Sequence, residues 1–473
     1  MLTTLFLAAA LAAAPSVPAA PVEKQLGDTL DRWLVAADFR GNVLVSKGGS
    51  VLLRKGYGMA DREKGIPYTA DTVFDVGSIT KQFTAAAILK LEMQGKLRVE
   101  DPIGKYFPGV PEDKKTITLH HLLTHTSGLE SDFAGDYDPV SRDEYVKRIL
   151  ASKLRTEPGE AYFYANSGYS LLGAVVEIVS AKPYEQYLRD NLFLPAGMRD
   201  TGYKLPAWPP ERIAVGYHDG KRWGKINEKP WAADGPYWAL RANGGISSTL
   251  DDMLRWHVAL SGDAVLSATE KEKMFRKHVR EGPVADTYYG YGWSIGEAAW
   301  GGRLIEHNGG NGTFFADFLR YVDDDLVVIL STNDSQVRGG RISHALARLA
   351  HGEDVPLPKP ADPSAPAKPL GTSGRDAVIR GWFDAFNATG LEAMRTFRAE
   401  HATPHPGMDD AERERRLTAM REDLGRLEPV GIIEAAGDQI TVRAKSAKGA
   451  VARLKFIFAP DGKLDGIGVE IGQ

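Results

Sequence analysis

The sequence contains no cysteine among its 473 residues. This absence excludes disulfide bonds, thiolate metal sites, a cysteine nucleophile and a lipid-anchored N-terminal cysteine, so packing must stabilise the fold. An excess of charge is also missing, because 58 lysines and arginines face 62 aspartates and glutamates. The net charge of -4 gives no electrostatic reason to expect nucleic acid or an anionic membrane as a partner.

A long apolar run is lacking too, although a short one stands at the start of the chain. Leu5 to Ala14 is rich in alanine and leucine, and small residues follow up to Ala20. The run falls short of the roughly 20 residues that span a bilayer, which argues against a membrane anchor in the mature chain. No lysine or arginine precedes it, but its pattern is typical of a secretory signal peptide. We expect residues 1–20 to direct export to the periplasm or the medium.

The length and composition predict two folded units. A chain of 473 residues exceeds what one core usually serves, and 43% hydrophobic with 25% charged residues is typical of a soluble globular protein. Prolines recur six times between residues 355 and 369, which favours an extended linker. We therefore predict a large domain over residues 21–352, a linker over 353–373 and a small α+β domain of unassigned role over 374–473.

Strand patterns lie at both ends of the large domain, and helical patterns fill its middle. Residues 41–58 predict a β-hairpin around Gly48 and Gly49, and further strands are predicted at 291–295, 304–307, 314–321 and 326–332. Helices are predicted at 78–95, 118–124, 169–179 and 183–191, and a further helix is predicted to start at the capping box Ser248-Thr249-Leu250-Asp251. Two more helices are predicted at 376–387 and 391–398, before the C-terminal strands. The predicted fold class is α/β (α+β), with one antiparallel sheet flanked by helices, a helical subdomain and the small C-terminal domain.

The segment Ser78-Ile-Thr-Lys81 places a hydroxyl and an amine on one face of a helix, about one turn apart. A lysine there can take the serine proton if burial lowers its pKa, and the amides of the helix start can face an oxyanion. It is the only Ser-x-x-Lys in the sequence. Taken alone, the motif also fits a serine that merely caps the helix.

Two later segments carry further candidate residues. In Tyr164-Ala-Asn166 the two polar side chains point the same way if the stretch is extended, so a phenol and an amide lie side by side. His307-Asn308-Gly309-Gly310 ends a predicted strand, where glycines let a ligand approach the backbone. Aromatic core residues and an incidental glycine turn are the alternatives for these two segments.

The three segments, in this order, resemble the serine β-lactamase and penicillin-binding-protein superfamily, in particular its class C-like branch of β-lactamases, D-alanyl-D-alanine peptidases and esterases. The resemblance covers about residues 23 to 350. Supporting stretches are His121-Leu-Leu-Thr-His-Thr-Ser-Gly-Leu129, Tyr164 to Gly173, Leu194-Pro-Ala-Gly-Met198, Gly244-Gly-Ile-Ser-Ser248 and Tyr289-Gly-Tyr-Gly-Trp293.

The resemblance implies a serine hydrolase that works through an acyl-serine intermediate on esters, D-amino-acid peptides or β-lactam-like substrates. It implies Ser78 as nucleophile, Lys81 as its partner, Tyr164 as general base and Asn166 as a contact to the substrate amide. His307, Asn308 and Gly309 would bind substrate, and the backbone amides of Ser78 and Gly310 would form the oxyanion hole. Many members have Lys-Thr-Gly where this chain has His307-Asn308-Gly309. The lysine and threonine help to hold a β-lactam carboxylate, so we expect acyl transfer here rather than true β-lactamase activity.

Other functional classes find less support. His121 and His125 have the i, i+4 spacing of a zinc pair, but Leu122 replaces the glutamate of His-Glu-x-x-His, so no metal or other cofactor is predicted. No Gly-x-Ser-x-Gly elbow occurs, which argues against an α/β-hydrolase. The alternative from another class is a non-catalytic domain that senses cell-wall fragments. The expected partner is a small-molecule or peptide substrate, and the sequence does not indicate an oligomeric state.

Overall fold

The computed structural model describes residues 21–282, 286–358, 367–403, 410–449, 451–459 and 461–472. The predicted signal peptide over residues 1–20 lies outside these ranges, as do residues 359–366 of the predicted linker. The chain divides into two compact units, with the division between residues 359 and 360. The domain boundaries that the sequence suggests stay a prediction.

The first unit is built on an antiparallel sheet. The strands described in this unit are β1 (Gly41–Lys47), β2 (Ser50–Tyr57), β3 (Met59–Asp61), β4 (Ile66–Pro67), β5 (Phe74–Asp75), β6 (Gly216–His218), β7 (Lys221–Gly224), β8 (Ser247–Ser248), β9 (Val279–Arg280), β10 (Tyr288–Tyr289), β11 (Ser294–Glu297), β12 (Arg303–Gly310), β13 (Phe315–Tyr321) and β14 (Leu326–Thr332). In the described part of the chain, eight of them form one sheet in the order β2-β1-β14-β13-β12-β11-β10-β9. The predicted hairpin at residues 41–58 is confirmed, and β14 returns to pair with β1 as expected.

Helices lie on both faces of this sheet. They are α1 (Pro21–Ala36), α2 (Thr80–Met93), α3 (Leu119–Leu123), α4 (Arg142–Ala151), α5 (Asn166–Ser180), α6 (Tyr184–Leu188), α7 (Leu250–Ser261), α8 (Ala268–Met274) and α9 (Gly339–His351). Helices α1 and α9 pack on one face around Leu30, Leu34 and Leu346. The larger core lies on the other face, and α2 runs through it with every residue from Thr80 to Leu89 buried. The mixed fold class predicted from the sequence is confirmed.

Two helix starts differ from the sequence prediction. Helix α2 begins at Thr80, and Ser78 lies in a 3-10 turn, Gly77–Ile79, that precedes it. The positive φ of 52° at Gly77 redirects the chain here, a conformation that glycine adopts without strain. Helix α7 is capped by Thr249 rather than Ser248, since the Thr249 hydroxyl accepts a hydrogen bond from Asp252 N. The serine nucleophile predicted at the first helical turn therefore stands just before it.

The second unit packs three helices against a four-stranded antiparallel sheet. The helices are α10 (Gly374–Asn387), α11 (Glu392–His401) and α12 (Asp410–Leu424), and the strands are β15 (Leu427–Ala436), β16 (Gln439–Ser446), β17 (Val451–Phe458) and β18 (Leu464–Gly472), paired in sequence order. Helix α12 was not predicted from the sequence, because most of its residues are charged. Leu417 and Leu424, two turns apart on α12, are nevertheless buried in this unit's core.

Candidate active site

Ser78 and Lys81 lie side by side at the start of α2. The 3-10 turn holds Ser78 partly exposed, whereas Lys81 on the first turn of α2 is completely buried. Lys81 Nζ lies 3.1 Å from Ser78 Oγ. The spacing of three residues thus brings an amine into hydrogen-bonding distance of the hydroxyl, as the sequence analysis expected.

The Lys81 amine has two further partners, and both are hydrogen-bond acceptors. Nζ lies 2.8 Å from Asn166 Oδ1 and 2.9 Å from the backbone oxygen of Asn243. Burial lowers the pKa of Lys81 to about 7, although the carboxylates of Asp132 and Asp136 act in the opposite direction. A substantial fraction of this lysine is therefore neutral near pH 7.

Tyr164 lies next to both groups. Lys81 Nζ is 4.7 Å from the centre of the Tyr164 ring, and the Tyr164 phenol hydrogen-bonds with Ser78. Burial raises the pKa of Tyr164 above its usual value, while the bond to Ser78 lowers it. The phenol is therefore protonated at neutral pH and can donate a proton.

Asn166 links Lys81 to an acidic loop. Its Oδ1 accepts from Lys81, and its Nδ2 donates to Asp132 Oδ1 at 3.1 Å. Both ends of the amide are engaged, so this side chain orients Lys81 in addition to any contact that it makes with a substrate. Asp132 is exposed and Asp136 is half-buried on the same loop, and burial followed by Asp132 raises the pKa of Asp136.

The third predicted segment forms the end of β12, opposite Ser78. His307 is buried, and its Nε2 lies 3.0 Å from the Tyr289 hydroxyl. Its Nδ1 lies 2.6 Å from the carbonyl oxygen of Asn308, so Nδ1 carries the hydrogen and Nε2 accepts from Tyr289. Burial, followed by the nearby charge of Lys81, lowers the pKa of His307 to about 4. The imidazole is neutral at pH 7 and does not supply the positive charge of a lysine.

The backbone of β12 lies directly against the Ser78 turn. A Cβ atom added at Gly309 would lie 2.5 Å from Ser78 N and 2.0 Å from Val76 O, and one added at Gly77 would lie 2.5 Å from Gly310 N. Asp75 ties the two segments together, since it accepts from Gly77 N at 2.8 Å and from Asn311 Nδ2 at 3.0 Å. The amides of Ser78 and Gly310, the predicted oxyanion pair, are thereby brought to the same place.

A cleft of about 460 Å³ opens on Ser78 along β12. Its lining includes Tyr162, Tyr164, Glu281, Thr287, Tyr289, Ser294, Glu306 and residues His307 to Gly310. None of the described lining residues is a lysine or an arginine, whereas two are glutamates. Burial, then the neighbouring charge of Glu281, raises the pKa of Glu306 to about 7. Glu306 is therefore fully ionised only above about pH 7, and no lysine or arginine among the described lining residues offsets the acids of the cleft.

Several of these residues could not be found from the sequence. Asn243 acts through its backbone oxygen, which has no sequence signature, and the acids Asp132, Glu281 and Glu306 lie in no recognisable motif. The sequence placed His125 in a possible zinc pair and in the supporting stretch His121 to Leu129, but gave it no catalytic role. His125 lies beyond the end of α3, and within the described ranges no group of three or more His, Cys, Asp or Glu side chains is arranged to hold a metal ion.

Comparisons with known proteins find similar chains among the penicillin-binding proteins. A family profile described as Beta-lactamase matches residues 34–353. "Penicillin-binding protein 4*" of Bacillus subtilis is 30% identical over 68% of this chain and 75% of that protein. The crystal structure of a penicillin binding protein from Bacillus halodurans aligns with a TM-score of 0.56 and 28% identity, over 64% of this chain and 94% of that one.

A third similarity extends over nearly the whole chain. The octameric penicillin-binding protein homologue from Pyrococcus abyssi aligns with a TM-score of 0.62 and 22% identity, over 95% of this chain and 98% of that chain. At this identity the likeness concerns the fold alone.

None of the described helices has both the length and the apolar character to cross a membrane.

Proposed function

The chain belongs to the β-lactamase family, and from this premise we propose that it is a serine hydrolase that forms an acyl intermediate on Ser78. The observation that carries the proposal is the hydrogen bonding of Lys81. Nζ is held by Ser78 Oγ, Asn166 Oδ1 and the Asn243 carbonyl at 3.1, 2.8 and 2.9 Å. Two of these partners can only accept a hydrogen bond.

This geometry favours Lys81 as the base that takes the Ser78 proton. A neutral amine has two hydrogens and one lone pair, and the two obligate acceptors take the hydrogens. The lone pair then faces Ser78 Oγ, the one partner that can donate. A pKa of about 7 supplies enough of the neutral form near neutral pH. The family resemblance gives the role of base to Tyr164, but its raised pKa favours a phenol that stays protonated.

Attack by Ser78 Oγ on a carbonyl carbon would place negative charge on the carbonyl oxygen. The adjacent amides of Ser78 and Gly310 are suited to receive it, and no reorganisation is needed because Gly309 lies against the turn. Tyr164, beside both Ser78 and Lys81, can pass its proton to the leaving group and recover one from Lys81. Water would then release the acyl group and restore Ser78.

The charge of the cleft supports neutral esters or amides as substrates rather than anionic ones. Glu281 and Glu306 line the cleft, and the neutral His307 stands where a lysine would hold a carboxylate. Penicillins and peptides with a free C-terminal carboxylate would bring a like charge toward these acids. We also propose that the chain is exported, on the basis of residues 1–20.

A fluorescent phosphonate probe tests this function. It should label the wild-type protein at Ser78, and Ser78→Ala should abolish labelling and lower hydrolysis of a chromogenic ester by about a thousandfold or more with an unchanged melting temperature. A non-catalytic cell-wall sensor, the alternative, would not be labelled. Ester turnover by Ser78→Ala within tenfold of wild type would refute the proposal.

A further inference from the structure

His125 accepts hydrogen bonds from both neighbours of Tyr164. Its backbone oxygen accepts a hydrogen bond from Phe163 N at 2.8 Å, and its side-chain Nδ1 accepts one from Ala165 N at 3.0 Å. The imidazole also packs against the phenol ring of Tyr164 in a tilted arrangement, with ring centres 4.2 Å apart and planes 33° apart. One residue thus fixes the backbone on each side of Tyr164 and the ring between them.

The backbone conformation of His125 allows it to form both hydrogen bonds. Its φ of 58° lies in the left-handed region, which glycine adopts readily and which asparagine, aspartate and histidine adopt more often than other residues do. The turn places the backbone oxygen and the side chain of His125 on the same neighbouring segment. The next residues extend the contact, because Thr126 O accepts from Gly159 N at 2.7 Å and Ser131 O accepts from Ser167 N at 2.7 Å.

The imidazole is neutral, and its tautomer follows from the hydrogen bond. Since Nδ1 accepts from Ala165 N, Nε2 carries the hydrogen, and this buried nitrogen has no hydrogen-bond partner in the described structure. Burial, and then the charge of Lys81, lowers the pKa of His125 well below its usual value. His125 therefore touches the Tyr164 ring closely without adding a charge beside Lys81.

We infer that His125 is a positioning residue that holds the Tyr164 phenol in place beside Ser78 and Lys81. The inference rests on the proposed function. The Tyr164 phenol is useful only while it reaches Ser78, and its own segment, between Glu160 and the start of α5, has no regular secondary structure. The two hydrogen bonds and the ring contact from His125 replace the support that a helix or strand would give.

A double-mutant cycle between His125 and Tyr164 tests the inference. Tyr164→Phe should lower kcat for a neutral ester by about a hundredfold, since it deletes the phenol and keeps the ring. His125→Phe keeps a ring but loses the Nδ1 acceptor, and we expect a loss in kcat of about tenfold or more with KM within about threefold. In the Tyr164→Phe background, His125→Phe should cost less than about twofold, because there is no phenol left to position.

Two further variants keep the test decisive. His125→Asn can accept from Ala165 N and tolerates the left-handed φ, so it should recover kcat to within about threefold of wild type. If His125→Phe does not fold, His125→Gly keeps the backbone conformation and should show the same dependence on the phenol.

His257 is the matched control, because it too is buried and accepts through Nδ1, from Arg320 Nε at 3.1 Å. His257→Phe should lower the melting temperature, and its effect on kcat should be the same with and without the Tyr164 phenol.

The outcomes separate this inference from the proposed function. If the kcat losses of His125→Phe and Tyr164→Phe multiply, or if His125→Phe lowers only the melting temperature, His125 does not position Tyr164. If Ser78→Ala keeps the activity in the same assay, the proposed function itself fails. Loss of activity in Ser78→Ala, together with a cycle in which the phenol accounts for the His125 effect, supports both.

Discussion

The side-chain oxygen of Asn166 accepts a hydrogen bond from Lys81 Nζ at 2.8 Å. The side chain closest to the buried amine is therefore a neutral amide and not a carboxylate. A carboxylate at the same place would stabilise the ammonium form. The neutrality of Asn166 is therefore one reason why burial can hold the pKa of Lys81 at about 7.

Asn166→Asp should move the acidic limb of the kcat/KM profile to higher pH by about one unit or more. The rate depends on neutral Lys81, so a raised pKa lowers activity at pH 7 and activity returns as the pH rises through the new pKa. Hydrolysis of a neutral ester across the pH range measures the limb. Asp132→Asn should move the limb to lower pH, because it removes a charge that raises the pKa of Lys81.

Asp75 titrates in the same range, since burial raises its pKa to about 7. Asp136 raises the pKa of Asp75 and also that of Lys81, whereas Asp132 raises the pKa of Lys81. A limb that moves in Asp132→Asn therefore belongs to Lys81. If the limb stays at the same pH in both Asn166→Asp and Asp132→Asn, ionisation of Lys81 does not limit the rate.

Substrate charge should control kcat/KM through Glu281 and Glu306. We predict that the p-nitrophenyl ester of 5,5-dimethylhexanoic acid, which is neutral, is cleaved at least about tenfold better than the anionic monoester of glutaric acid. The preference should grow between about pH 6 and pH 8, because Glu306 has a pKa of about 7 and is negative above it. Added salt should weaken it by screening.

Single substitutions test the source of this preference. Glu281→Gln and Glu306→Gln should each reduce the ratio of the neutral to the anionic rate. Glu297→Gln is the matched control, since Glu297 is exposed on β11 and does not line the cleft, and it removes the same charge. Efficient penicillin hydrolysis with inert neutral esters would overturn the charge argument.

The close contact between Gly309 and the Ser78 turn should not tolerate a side chain. A Cβ at Gly309 would lie 2.0 Å from Val76 O, so Gly309→Ala must push β12 away from the turn. We expect kcat to fall by about a hundredfold, because the oxyanion pair would separate. Gly104→Ala is the control, since a Cβ there meets nothing within 4 Å, and it should keep both activity and melting temperature. Equal activity of the two variants would contradict the arrangement described here.

The sequence predicted the parts of the site that depend on local spacing. Ser78 and Lys81, three residues apart, are hydrogen-bonded, and Tyr164 and Asn166, two residues apart, both contact Lys81. What it could not predict depends on long-range folding: Asn243 contributes a backbone oxygen 162 positions from Lys81. The helical i, i+4 spacing of His121 and His125 was a poor guide, because the left-handed turn at His125 lies beyond the helix and points its imidazole at Tyr164.

The sequence also located the strands with dense apolar runs, but it gave no signal where apolar residues are sparse. Strands β13 and β14 are almost fully buried, and their runs were located to within a residue. Helix α12 was missed, since Arg413, Glu414 and their charged neighbours outnumber its apolar residues. Only packing against the rest of its unit shows why Leu417 and Leu424 recur seven positions apart.

Each of the two units has its own core, which bears on whether they fold independently. In the second unit Trp382 packs against Phe386 and Phe456, with ring centres 5.0 and 5.5 Å apart. The first unit extends past α9, because Val355 packs against its core and Trp33 Nε1 donates to Pro356 O at 3.0 Å. A truncation that respects the first unit therefore ends after Pro358 rather than at Gly352.

Truncation after Pro358 should leave a folded hydrolase. All the candidate catalytic residues precede residue 311, and the contacts of Ser78, Lys81 and Tyr164 described above lie within the first unit. We expect kcat for a neutral ester within about threefold of the full chain, with a cooperative thermal transition. Light scattering on both proteins shows whether a change of oligomeric state accompanies the cut. If the truncated protein is folded and keeps its oligomeric state but loses more than about tenfold in kcat, residues beyond 358 must help to build or cover the active site.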